Sequence, residues 1–141
     1  MSEFYKYFRE NMDAMGAPAP EHLFGNLSTA IATTTTLVSF VDKFGSRVTV
    51  FEMIKAGTRL ERLTTIGSWY AAFYVGVVIG SLAIAAGRTL AGGTSIADVL
   101  WEARRNGWMR PWLTATIQRQ PGICNPKLAS RSCGRASVHA G

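Results

Sequence analysis

Few residues of this 141-residue chain have the type and spacing that catalysis or metal binding requires. The two histidines, His22 and His139, lie far apart, and eight residues separate the two cysteines, Cys124 and Cys133. Neither pair matches a metal-binding or thiol-redox spacing, and no phosphate-binding glycine loop is present. We therefore expect no enzyme activity, no cofactor and no metal site.

Small residues at regular spacing indicate a different property, the close packing of helices. Four of them recur at every fourth position within one uncharged stretch, and two more lie seven residues after the third and the fourth. The members of this small-residue strip are Ser68, Ala72, Gly76, Gly80, Ala83 and Gly87. Small side chains let helix backbones approach closely, which favours helix association in lipid. The strip predicts either packing between copies of the chain in a membrane or tight packing within one copy.

Hydroxyl side chains at Thr29, Thr33 and Thr36 lie near one face of a predicted helix. Neutral hydroxyls replace part of an ion's hydration shell without fixing a charge in the wall of a pore. If several copies assemble, these threonines are the candidates for lining a water-filled lumen. A proton relay is not expected, because neither uncharged run contains an acidic residue.

Two uncharged runs of sequence must position these groups. Residues 23–41 form a Thr-rich run of 19 residues, which predicts a membrane helix or, alternatively, an element of a soluble core. Residues 63–87 form a more apolar run of 25 residues, long enough as a helix to span a hydrocarbon core of about 30 Å. A soluble bundle would need to cover such a helix on all sides, and a chain this short offers few neighbours. We expect residues 63–87 to form a transmembrane or membrane-inserting helix.

The N-terminal segment, residues 1–22, is amphipathic. Apolar residues at helical spacing predict a helix over residues 3–15, ended by Gly16 and two prolines. This helix either packs on its own protein or lies on a membrane surface. The segment lacks the apolar core of a signal peptide, so we expect any export to use another route.

Two further segments connect and follow the apolar runs. Residues 42–62 form a polar connection, in which Thr49 and Glu52 match a capping box that opens a short helix. Residues 88–112 predict a short amphipathic helix followed by a segment rich in tryptophan and arginine.

Aromatic residues with a polar atom are concentrated in and after the second apolar run. The candidates for the membrane interface are Trp69, Tyr70, Tyr74, Trp101, Trp108 and Trp112. Such side chains are enriched at the level of lipid headgroups, although burial in a protein core is the competing explanation for the tryptophans.

The net charge of +6 comes entirely from the C-terminal part of the chain, because residues 1–100 contain equal numbers of basic and acidic residues. Residues 113–141 are basic and show no helical period, which predicts a solvated, flexible tail. A basic tail also attracts nucleic acid or anionic lipid, but we expect no nucleic-acid partner.

These segments together predict a small all-α protein with a central hydrophobic hairpin that inserts into membranes. The chain resembles the small pore-forming effectors of the bacterial type VI secretion system over roughly residues 1–123. The likeness rests on the segments FYKYFREN, LSTAIATTTT, GVVIGSLAIAAGRTLAGGTS and RPWL, the last followed by PGIC.

The resemblance implies an antibacterial toxin that is secreted without a signal peptide and forms a depolarising, ion-conducting pore in the inner membrane of a target cell. It also implies three partners: the ring of the secreted tube protein as carrier, an immunity protein in the producing cell, and further copies of the chain in the membrane. The alternative is a non-toxic membrane protein, such as an immunity protein or a small complex subunit. A soluble adaptor that binds nucleic acid through its basic tail is a third class.

Overall fold

The computed structural model of the protein describes residues 3–56, 66–90 and 96–119, with residues 87–90 and 96–98 described by their backbone alone. Within these ranges the chain forms seven helices: α1 (Glu3–Ala14), α2 (Glu21–Phe24), α3 (Leu27–Phe44), α4 (Val50–Lys55), α5 (Ala71–Leu90), α6 (Ile96–Arg105) and α7 (Pro111–Arg119). The only extended pairing among the described residues is an isolated antiparallel bridge between Thr49 and Tyr70. The predicted all-α fold is therefore confirmed.

Helix α5 lies at the centre of the fold, and α1, α3, α4, α6 and α7 all pack against it. Each covering helix turns an apolar stripe inward. In α1 the buried residues Tyr5, Phe8 and Met12 recur at helical spacing, and in α7 Leu113 and Ile117 are four residues apart. The arrangement is a bundle in which short amphipathic helices cover one apolar helix.

Local capping signals set several of the helix boundaries. The Thr49 hydroxyl accepts the backbone N–H of Glu52 while the Glu52 carboxylate accepts the N–H of Thr49, so the predicted capping box begins α4. Asn26 caps α3 in a similar way by accepting the N–H of Thr29. After α1, Gly16 has a φ of +76°, a left-handed conformation that suits glycine and ends the helix.

The central helix begins later than the sequence predicted. Residues 66–70 form turns and the bridge rather than helix. Backbone hydrogen bonds explain this difference: Val50 N–H donates to the Trp69 carbonyl at 2.9 Å, and Ala71 N–H donates to the Val48 carbonyl at 2.7 Å. These bonds to the start of α4 hold residues 66–70 out of a helix, so α5 begins at Ala71.

The predicted C-terminal tail also differs. Its first residues, 113–119, belong to helix α7, because the apolar pair Leu113 and Ile117 is completely buried in the bundle. Residues 120–141, including both cysteines and His139, lie outside the described residues.

In the part of the chain that the structure describes, no helix combines enough length and apolar character to cross a membrane. Helix α3 carries seven Ser and Thr side chains and ends with Asp42 and Lys43 in its last turn. The structure thus does not show the predicted membrane-spanning helix over residues 63–87. The Thr-rich run 23–41, for which a core element was the alternative prediction, lies in α2 and α3 of the bundle.

Candidate functional site

The most distinctive feature of the molecule is that α5 is buried around its whole circumference. From Ala71 to Ala85 every residue except the half-buried Phe73 is buried, and none of them is charged. A helix that is apolar on all sides belongs either to the centre of a protein core or to a membrane. Here short helices provide the cover.

The contact between α1 and α5 includes one buried polar pair. The Asn11 amide Nδ2 donates to the Ser81 hydroxyl at 2.6 Å, and both side chains are buried. Buried polar groups need such partners because desolvation without a hydrogen bond is costly. The pair therefore fixes the register of α1 on α5.

Two tyrosines anchor the chain between α1 and α2 beside the core. Tyr74, a predicted interface residue, is fully buried and donates its hydroxyl to the Pro18 carbonyl at 3.2 Å. Tyr5 donates its hydroxyl to the Ala19 carbonyl. Burial raises the pKa of the Tyr5 hydroxyl and outweighs the opposing effect of Arg9, so this donor keeps its proton.

The small-residue strip is divided by the structure. Ala72, Gly76, Gly80 and Ala83 are buried on α5, where small size permits close approach of neighbouring helices. Ser68 precedes the helix and is exposed, because the bridge holds its segment out of α5, and it lines a surface cleft instead. Gly87 belongs to α5 by its backbone, and the structure describes nothing further of it.

The three predicted pore threonines use their hydroxyls within the bundle. Thr29 donates to the capping side chain of Asn26 at 2.7 Å, Thr33 to the Leu23 carbonyl at 2.7 Å, and Thr36 to the Ala32 carbonyl at 3.2 Å. Hydroxyls that bond to nearby helix groups carry a reduced desolvation cost. These hydroxyls therefore bond within the bundle, and the three threonines enclose no lumen among the described residues.

The predicted interface aromatics separate into three environments. Tyr74, on α5, and Trp108, which follows α6 and bonds to α3, are buried in the core. Trp101 is 59% exposed on α6, with the Arg105 guanidinium 5.5 Å from the centre of its ring. Trp69, Tyr70 and Trp112 come together around a surface cleft. Only the last group forms a shared site.

This aromatic cleft has a volume of about 760 Å³ and lies between the turns on either side of α4 and helix α7. Phe73 completes its aromatic wall, with its ring edge-to-face against Trp69 at 5.2 Å between centroids. Arg47 and Arg119 also line it. Nothing in the sequence predicts that Arg47, Phe73 and Arg119 share one site, because the three residues are far apart along the chain.

Asp42 holds one wall of the aromatic cleft in place. Its carboxylate accepts the Trp112 indole N–H at 3.0 Å and pairs with the Arg110 Nε at 2.8 Å, which ties the end of α3 to the start of α7. Burial by itself raises the pKa of the Asp42 carboxyl. The two hydrogen bonds and the charge of Arg110 outweigh that effect and leave the pKa below its ordinary value.

The structure thus combines a buried apolar helix, a buried polar pair that joins α1 to α5, an aspartate that links α3 to α7, and a cleft with aromatic and cationic walls. In comparisons with protein-family models, with curated proteins and with solved structures, the chain has no match.

Proposed function

We propose that the protein is a membrane-inserting toxin that forms an ion-conducting pore, and that the fold described above is its compact, pre-insertion form. The observation that carries the proposal is the burial of α5 on all sides under short amphipathic helices. The part of α5 from Ala71 to Ala85 carries no charge, so it exchanges a protein environment for a lipid environment at little cost in apolar free energy, since both are apolar.

Insertion requires two changes in the bundle. The covering helices must leave α5, and α5 must lengthen, because no described helix can span a membrane as it stands. The uncharged sequence from residue 63 to residue 87 supplies the additional length if the turn at residues 66–70 becomes helical. Among the described residues, three backbone hydrogen bonds that join this segment to Val48, Val50 and Phe51 must break for that extension.

The covering helices are suited to the membrane surface once they are released. Helix α1 is strongly amphipathic, with Tyr5, Phe8 and Met12 on its apolar side, and such helices lie at the headgroup level with their apolar face in the acyl region. The buried small residues of α5 then become available for packing against further copies of the chain, and Thr29, Thr33 and Thr36 remain the candidates for a lumen.

In this proposal, delivery takes the route that the resemblance to type VI secretion effectors implies. The toxin would travel in the ring of the secreted tube protein, act in the inner membrane of the target bacterium, and be neutralised in the producer by an immunity protein. The compact form suits such transport because it covers the apolar helix until lipid is reached.

The test is the conductance of a planar bilayer of phosphatidylethanolamine and phosphatidylglycerol after the purified full chain is added. Stepwise currents are expected. A bilayer that stays silent while the protein is bound to it would contradict pore formation and favour the alternative, a non-toxic accessory membrane protein.

A further inference from the structure

The aromatic cleft has a composition that the stored helix does not explain. Its walls expose the rings of Trp69, Tyr70, Phe73 and Trp112, and two cations, Arg47 and Arg119, share the same space. Tyr70 is 54% exposed although it lies next to the core, so a large ring faces open space. A volume of about 760 Å³ is in the range of small-molecule sites.

The electrostatics of the cleft favour an anion. None of the described residues that line it is acidic, and neither Arg47 nor Arg119 has an acidic partner in the described part of the chain. Asp42 lies behind Trp112, but its charge is already compensated by Arg110. Two exposed guanidinium groups that have no acidic partner among the described residues attract a phosphate, which arginine binds through paired N–H donors.

The aromatic wall determines what accompanies the anion. Tryptophan and tyrosine combine a broad apolar surface with a polar edge, the combination that suits the junction between lipid headgroups and acyl chains. An inorganic anion would use the arginines and leave the rings without a contact. An amphiphile uses both parts of the cleft at once.

We propose that the aromatic cleft binds a single anionic phospholipid, with the phosphate between Arg47 and Arg119 and the first part of an acyl chain against Trp69, Phe73 and Trp112. The choice of a lipid as the source of the phosphate rests on the proposed membrane function.

The position of the cleft connects it to the start of α5. Ser68, Trp69 and Tyr70 line it, and the same residues form the turn and bridge that hold α5 at its present length. A lipid bound there contacts the segment that must change conformation on insertion. The cleft is therefore the place where the compact form first meets the membrane.

The test uses the full chain with ¹⁵N-labelled tryptophan and follows the indole N–H signals during titration with dihexanoyl-phosphatidylglycerol below its micelle concentration. The signals of Trp69 and Trp112 are expected to shift and saturate together, while that of the exposed Trp101 on α6 stays in place. Equal shifts of all the tryptophan signals would overturn the proposal, because they indicate non-specific association.

Three comparisons define the ligand. The double variant Arg47→Gln/Arg119→Gln is expected to weaken binding by about tenfold or more, since both charge-assisted contacts are lost. The matched control Arg9→Gln/Arg104→Gln removes the same charge from exposed residues outside the cleft and is expected to bind as the parent chain does. Equal weakening in both variants, equal shifts with inorganic phosphate, or equally tight binding of dihexanoyl-phosphatidylcholine would each overturn the assignment.

Failure of the proposed lipid site is distinguishable from failure of the proposed pore function. Bilayer currents without any cleft signal would overturn the lipid site and leave the pore standing. A saturating cleft signal with a silent bilayer would support the lipid site and contradict the pore.

Discussion

The indole N–H of Trp108 donates to the hydroxyl of Thr35 at 2.9 Å, and this bond joins the turn after α6 to the middle of α3. Trp108 is almost completely buried, and the Thr35 hydroxyl is the acceptor for its N–H. Thr35 in turn donates to the Ile31 carbonyl of its own helix. One threonine in a run of four thus holds a core tryptophan in place.

Removal of the Thr35 hydroxyl should therefore destabilise the compact form. Thr35→Val keeps the shape of the side chain but leaves the buried indole N–H without an acceptor, a loss of about 1–3 kcal/mol in the free energy of unfolding. Urea unfolding measures it. The control is Thr36→Val, whose exposed hydroxyl bonds only to its own helix and whose loss should change little. Equal stability of the two variants would contradict the role of Thr35.

A covalent link between α1 and α5 should prevent insertion. Asn11 and Ser81 touch through a 2.6 Å hydrogen bond, so cysteines at both positions, in a background with Cys124 and Cys133 replaced by serine, are candidates for a disulfide. The oxidised Asn11→Cys/Ser81→Cys variant should not release dye from anionic vesicles, and reduction should restore release. Each single-cysteine variant is the control. Undiminished leakage by the oxidised form would show that α1 need not leave α5.

A large side chain in the small-residue strip should affect both states of the protein. Gly80→Leu overpacks the buried face of α5 and is expected to lower the stability of the compact form by about 1–3 kcal/mol, measured by thermal unfolding. It should also reduce vesicle leakage, because the added side chain separates helices that pack through small residues. Ala56→Leu at the exposed end of α4 is the control. Leakage by Gly80→Leu at the parental level would contradict assembly through the strip.

The link at Asp42 should give the stability a defined pH dependence. The pKa of Asp42 is lower in the folded protein than in the unfolded chain. Its contribution to the free energy of unfolding is therefore fully present above the unfolded pKa of about 3.9 and is lost as the pH falls through the lower folded pKa. The difference in melting temperature between the parent chain and Asp42→Asn should be small but constant near neutral pH. The loss in the free energy of unfolding is at most about 1 kcal/mol, because the pair is partly exposed, and the difference between the two chains should shrink below pH 4. A difference that grows on acidification would contradict this assignment.

Local features of the fold were predictable from the sequence. The helical spacing of Phe8 and Met12 and the capping pair Thr49 and Glu52 depend on neighbours within a few residues, and the structure places both as predicted. The start of α5 was not predictable in this way. Trp69 and Tyr70 have an apolar, helix-compatible context in the chain, but hydrogen bonds from a segment about 20 residues earlier decide their conformation.

The candidate sites show the same limit. Trp101 and Trp108 are similar in sequence context, yet Trp101 is exposed while Trp108 is buried and donates to Thr35 of α3. The aromatic cleft brings together Arg47, Trp69 and Trp112 from three separate segments. No spacing rule relates such residues, so their common location could not be predicted from the sequence.

The central position of α5 has a consequence for how the protein is made. Helices α1 and α3 are synthesised before Ala71–Leu90, the helix against which both bury their apolar faces. Until α5 has left the ribosome, the emerging chain exposes apolar surface that favours aggregation. We expect released chains that are truncated before Ala71 to associate with chaperones, and released chains that include all of α5 to fold without them.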